Sequence, residues 1–176
     1  MLDPIRMPAV TRSGAGEHIA ERSGGPSGRR RTVAGMSHSA RRASLRPLLA
    51  AAGVDALLVT DLTNVRYLSG FTGSNAALLV HVDGDAGSRF CTDGRYREQS
   101  AGEVPDLERL EDRGCALRLA RDAGAAGVRR LGFESDAVTV DAHAGLVRVA
   151  EPARLQRAPG LVQQLRAVKD ETEIAA

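Results

Sequence analysis

The chain has 176 residues, 43% hydrophobic and 26% charged, with a formal net charge of +2. This is ordinary usage for a globular domain with its own core, and it excludes a wholly disordered chain. No run approaches the ~20 apolar residues of a membrane-spanning helix, and two cysteines are too few for a disulfide scaffold.

The charge is uneven. Residues 1–35 carry six Arg against Asp3, Glu17 and Glu21, and the remainder is close to neutral at −1. Of the cationic residues, 23 are Arg and only Lys169 is Lys, so no lysine-bearing phosphate loop exists. The near-neutral body argues against a basic groove for a nucleic-acid backbone. Only five aromatics (Tyr67, Phe71, Phe90, Tyr96 and Phe133) are available for base stacking.

Residues 1–38 are rich in Gly, Ser, Pro and Arg and lack an apolar period, so a disordered N-terminal tail is expected. It has no apolar h-region of a secretory signal, Glu17 and Glu21 argue against a transit peptide, and Met36 is an alternative start. Order is expected from Ser39. Leu45, Leu48, Leu49 and Ala52 share one face of a helix over 40–52 that stops at Gly53, with Pro47 awkward inside it. Residues 55–60 predict a buried strand. Residues 64–70 predict a short helical segment capped by Asn64 and ended by Gly70. The apolar run 76–82 reads as another buried strand, followed by an Asp83-Gly84 hairpin turn and a return strand over 89–92. Asp93 is expected to cap a helix running to about Ala101. A strand–helix rhythm follows: strand 107–111, helix 115–123, strand 130–134, helix 139–149 capped by Thr139, edge strand 153–157 and helix 160–168. The alternation predicts an α/β fold, a mixed β-sheet flanked by helices on both faces. Residues 169–176 (KDETEIAA) read as the opening of a further helix or linker.

Two segments carry the functional signal. NVRYLSGFTGSNA, residues 64–76, packs glycines, hydroxyls and an amide between two predicted strands, a place where α/β folds put ligands. Its residues Tyr67, Phe71, Ser74 and Asn75 are candidates, although Tyr67 and Phe71 also suit the core. TDGRYREQ, residues 92–99, sets Arg95 beside Tyr96, either as a carboxylate grip or as an Asp93–Arg95 turn. His81 and His143 lie far apart and neither HExxH nor CxxC occurs, so no metal ligand is assigned. Cys91 and Cys115 are expected as free buried thiols of a reducing compartment. No catalytic residue is assigned.

Together with the final LRAVKDETEIA, these two segments resemble the N-terminal domain of the creatinase/prolidase/aminopeptidase P metallopeptidases, most like bacterial Xaa-Pro peptidases. The resemblance covers about residue 40 to 176. It implies a creatinase N-terminal-domain-like fold over 39–168, with 169–176 leading into an absent catalytic domain. It also implies that hydrolysis uses two divalent metal ions, often manganese, held by two Asp, one His and two Glu of that absent pita-bread domain. This chain is then expected to be inactive alone and cytoplasmic. Its partners are a catalytic domain or other copies of itself, and it meets peptide substrate only through the full-length enzyme. Tyr67, Phe71, Ser74 and Asn75 match the motif expected at the mouth of the active site, and Arg95 and Tyr96 match a second motif. The alternative is a stand-alone interaction or oligomerisation module without hydrolysis. An arginine-tail nucleic-acid binder ranks last, and no membrane partner is expected.

Overall fold

A computed structural model of the chain describes residues 37–168, so the predicted tail and the segment 169–176 lie outside the described residues. Helix α1 (His38–Ala51) begins two residues before the predicted start because the Ser37 hydroxyl accepts from Ala40 N. Strand β1 (Ala56–Val59) leads into α2 (Leu62–Ser69), and β2 (Ala76–His81) is followed by β3 (Arg89–Thr92). Helix α3 (Arg97–Glu103), β4 (Glu108–Glu111), α4 (Cys115–Ala125), β5 (Arg130–Phe133), α5 (Val140–Ala150), β6 (Arg154–Arg157) and α6 (Leu161–Ala167) complete the fold.

The strands form one six-stranded sheet in the order β4-β3-β2-β1-β5-β6. Strand β2 is antiparallel to β1 and β3, and the other pairings are parallel. The predicted mixed α/β sandwich is therefore the fold. Alternation along the central strands divides the core. Leu57, Val59, Leu78, Val80 and Phe90 pack with Leu45, Leu49, Leu68 and Val162 of α1, α2 and α6. Ala56, Leu58, Ala77, Leu79 and Cys91 face Leu119, Ala123 and Leu146 of α4 and α5. Both faces of β1 and β2 are buried, hence their continuous apolar runs. The two edges differ: β4 (ERLE) and β6 (RLQR) are largely charged, and Arg89 of β3 pairs with Glu108 of β4 at 2.7 Å.

Two buried charges organise this frame. Arg42 of α1 is fully buried. It forks onto Asp85 at 2.9 Å through both Nε and Nη2, reaches Asp106 at 2.5 Å, and caps the Leu68 carbonyl at 2.8 Å. Arg46 adds a 2.6 Å bond to Asp85. This pull explains why β2 and β3 are joined by a turn through Asp85–Gly87 rather than by the predicted tight Asp83-Gly84 hairpin.

Glu134 holds the other side. Its carboxylate accepts from Thr60 N at 2.7 Å, Asp61 N at 2.9 Å and Asn64 Nδ2 at 2.6 Å. Burial lifts its carboxyl above the ordinary value against the opposing pull of these bonds. The folded chain thus holds this proton more tightly than the unfolded chain, and the group's contribution to stability declines as pH rises from the ordinary carboxylate range to the raised folded value. Glu134→Gln puts an amide NH₂ among donors and is expected to cost about 1–3 kcal/mol in urea unfolding. It should also abolish that component of the pH slope. An unchanged unfolding midpoint and an unchanged slope would refute the role.

Candidate functional site

Every strand except β2 points the same way, so the turn after β1, the entry to β2 and the turn after β3 gather at one end of the sheet. This topology brings the two sequence segments together. Helix α2 is capped by Asp61, whose carboxylate accepts from Asn64 N at 3.0 Å. The sequence reading places Asn64 at that cap; the structure corrects it. Asn64 is instead fully buried inside the helix, giving Nδ2 to Glu134 and accepting Arg166 Nη1 at 3.0 Å on Oδ1. Gly70 ends α2 at φ 83°, a left-handed conformation that favours glycine.

Past Gly70 the chain turns Phe71 into the core, edge-on to Phe90 at 4.9 Å and to Tyr96 at 5.5 Å between ring centroids. The Tyr96 hydroxyl is 2.7 Å from Ser74 Oγ, a bond that holds its phenol below the ordinary pKa. Asn75 Nδ2 donates to Asp93 Oδ2 at 2.7 Å, and its carbonyl accepts from Thr92 Oγ1 at 2.6 Å. Arg95 donates to Asp93 through Nε at 2.9 Å, Nη2 at 2.8 Å and its backbone N at 3.0 Å. Its guanidinium lies 5.4 Å from the Tyr96 ring centre.

The predicted single helix from Asp93 is accordingly two pieces, a 3₁₀ turn over Gly94–Tyr96 and then α3, because the Asp93 side chain bonds Arg95 within the turn. The Arg95 guanidinium and then Asn75 hold the Asp93 carboxyl well below the usual carboxylate range. Asp93 is 3% exposed and stays ionised, so it has no proton to exchange near neutral pH. Of the two readings of the Arg95 segment, the geometry has the Asp–Arg turn, with one guanidinium nitrogen left over.

Phe71, Ser74, Asn75, Arg95 and Tyr96 thus form one connected cluster. Tyr67 stands apart: its buried ring lies 4.3 Å under the Arg41 guanidinium and its carbonyl meets His38 and Arg41. A depression of about 770 Å³ opens beside the cluster, lined by Asn75, Asp93, Gly94, Arg95 and Arg113. Arg113 escaped sequence reasoning, as did Glu103, which accepts from Thr72 N at 2.8 Å and Thr72 Oγ1 at 2.7 Å. Both lie outside the two segments, and only the β3–β4 pairing and the packing of α3 place them nearby.

Among the described residues, no group of three or more His, Cys, Asp or Glu side chains can hold a metal ion. His143 packs on Phe133 at 5.0 Å, and the His81 ring lies against Gly87 with Nδ1 3.6 Å from the Asp83 carboxylate. The described residues therefore do not fit a two-metal centre. Cys91 and Cys115 are buried free thiols, and contact with Cys115 together with burial pushes the Cys91 thiol up, away from a reactive thiolate. The cluster is a mutually hydrogen-bonded polar surface without a nucleophile–base pair.

Within this cluster the backbone is packed closely at Gly73, where a Cβ would fall 2.3 Å from the Phe71 ring and 3.0 Å from the Tyr96 ring. Gly73→Ala should displace both rings and cost about 1–3 kcal/mol by overpacking, read by denaturant unfolding with the Tyr96 ring signals as local reporter. Wild-type stability with unshifted ring signals would show that the loop is loose.

Residues 41–168 match the family model of the Creatinase/Prolidase N-terminal domain, and the chain belongs to that family. The solved N-terminal domain of the cytoplasmic peptidase PepQ from Mycobacterium tuberculosis is 51% identical at a TM-score of 0.70, covering 73% of this chain and 99% of that one. An N-terminal creatinase/prolidase-like domain of a Corynebacterium diphtheriae metallopeptidase, described as putative, is 45% identical at 0.63, covering 69% and 94%. An Xaa-Pro dipeptidase from Bacillus anthracis is 28% identical at 0.72, covering 79% of this chain and 38% of its own. The peptidase YqhT of Bacillus subtilis, described as uncharacterised, is 38% identical over 131 residues; the match takes in 74% of this chain and spans about a third (36%) of that relative's length.

Proposed function

We propose that this member of the creatinase/prolidase N-terminal domain family is the non-catalytic N-terminal domain of a metal-dependent Xaa-Pro aminopeptidase or dipeptidase. In that reading it supplies oligomer contacts and part of the active-site mouth. The observation that carries it is the pattern of coverage. The chain matches solved N-terminal domains over nearly their whole length, and matches longer peptidases over little more than a third of theirs.

The cluster at the sheet end suits a mouth. Ser74, Asn75, Arg95 and Tyr96 present fixed polar groups, and Phe71 braces them from beneath. Tyr67 anchors the far end of α2 against α1. Two divalent metal ions, manganese among them, would sit in the following pita-bread domain and supply the activated hydroxide. This chain's own residues orient peptide and limit water, and none of them moves a proton. The proposed setting is the cytoplasm, with no nucleic-acid or membrane partner. Among the described residues no helix is long and apolar enough to cross a membrane.

The contact face we assign lies on α4 and α5. Leu117, Val140 and Val147 are 39%, 86% and 45% exposed. Beside them Ala116, Leu117, Val138 and Leu146 line a depression of about 480 Å³. Such a grouping favours burial against another surface. It supports the second reading as well, an oligomerisation module that performs no hydrolysis.

Two experiments separate these readings. The chain incubated with Xaa-Pro dipeptides and manganese should release no proline above a protein-free blank, and dose-dependent turnover would overturn the non-catalytic assignment. In sedimentation, Val147→Glu should shift the chain towards monomer if the face pairs copies. A wild-type chain that is already monomeric assigns the face to the catalytic domain instead.

A further inference from the structure

The depression between α1, α2 and α6 has a different chemistry from the mouth cluster. About 500 Å³ in volume, it is lined by His38 and Arg41 of α1, Thr63 and Arg66 of α2, Thr72 just beyond α2, and Arg166 of α6. Three guanidinium groups from three helices converge on it, in a body whose net charge is near zero. Part of this charge is structural. Arg41 Nη1 donates to the Tyr67 carbonyl at 3.2 Å, where a cation complements a helix C-terminus, and His38 Nδ1 lies 3.2 Å from the same oxygen.

Arg66 and Arg166 keep guanidinium nitrogens that no described residue takes up. The Arg66 side chain is exposed and makes no hydrogen bond or ion pair among the described residues, its backbone carbonyl accepting from Gly70 N. Arg166 spends Nη1 on Asn64 and no other guanidinium nitrogen on a described residue. The nearby carboxylate, Glu103, is committed to Thr72 and Gln99, and it also feels the charge of Arg66. Guanidinium forks match the oxygens of carboxylate and phosphate, and the Thr63 hydroxyl adds a neutral donor, that of Thr72 being given to Glu103.

We infer that this depression is a binding site for a small oxyanion, held chiefly by Arg66 and Arg166 with Arg41 adding its field. Its occupant is inorganic phosphate or the free carboxylate of a short peptide. The site uses residues of this chain alone and stands or falls independently of the peptidase reading.

The test is an amide-resolved NMR titration of the full chain at low ionic strength. The probes are inorganic phosphate, alanyl-proline and alanyl-proline amide. Saturable shifts are expected at Thr63, Arg66 and Thr72. Arg66→Gln, at an exposed helix position, should weaken binding about fivefold. Arg166→Gln should do the same, whereas Arg113→Gln at the other depression should not. Saturation with phosphate alone assigns a free phosphate site, and saturation with alanyl-proline but not its amide assigns a peptide carboxylate site. Linear shifts with every probe, or equal weakening by Arg113→Gln, would overturn the inference. An unchanged amide spectrum away from the depression establishes that the variants are folded.

Discussion

A single buried carboxylate sets the geometry on which the rest depends. Glu134, at the end of β5, takes both backbone N–H groups at the start of the α2 turn and the Asn64 side chain inside α2. Those two N–H groups leave a central strand with no strand partner, and a buried amide without an acceptor is costly. One side chain satisfies them and joins two parallel strands to the following helix. Through Asn64 the same network reaches Arg166, so α6 is tied to α2 by a chain of polar contacts. On the opposite side Arg42 fastens the last turn of α2 to α1 through the Leu68 carbonyl. Helix α2 is thereby fixed at both ends, and the loop that follows it inherits a defined starting point.

Much of this was legible in sequence. The buried strands announced themselves as apolar runs at 55–60 and 76–82, because both faces of the sheet are covered and no polar alternation is needed. Thr139 declared the start of α5, where its hydroxyl accepts from Ala142 N. What escaped was non-local. Asp61 and Asn64 are both good caps, and the choice between them depends on Glu134, some seventy residues away. The Asp83-Gly84 turn looked sufficient until Asp85 was required by Arg42 and Arg46. Glu103 and Arg113 carried no local signal because their partners are brought by packing rather than by spacing.

The candidate mouth shows how a surface can be polar and yet chemically quiet. Asp93 is saturated by Arg95 and Asn75, Tyr96 is held by Ser74, and the aromatic rings below leave no room even for a methyl group at Gly73. Such saturation removes acid–base reactivity but fixes donor positions, which suits a group that orients a ligand for chemistry done elsewhere. The basic depression between α1, α2 and α6 has the opposite character, with charge beyond what the fold consumes.

The charged strands at both edges carry a further consequence. An exposed edge is normally a template for another chain's strand, and charged side chains there oppose such pairing. With β4 reading ERLE and β6 reading RLQR, adding a seventh strand at either side is disfavoured. The sheet is in effect closed to lengthening. Contacts with another domain or a second copy are thereby steered towards the helices or the loops at the strand ends, where side-chain complementarity rather than main-chain pairing is the basis of recognition.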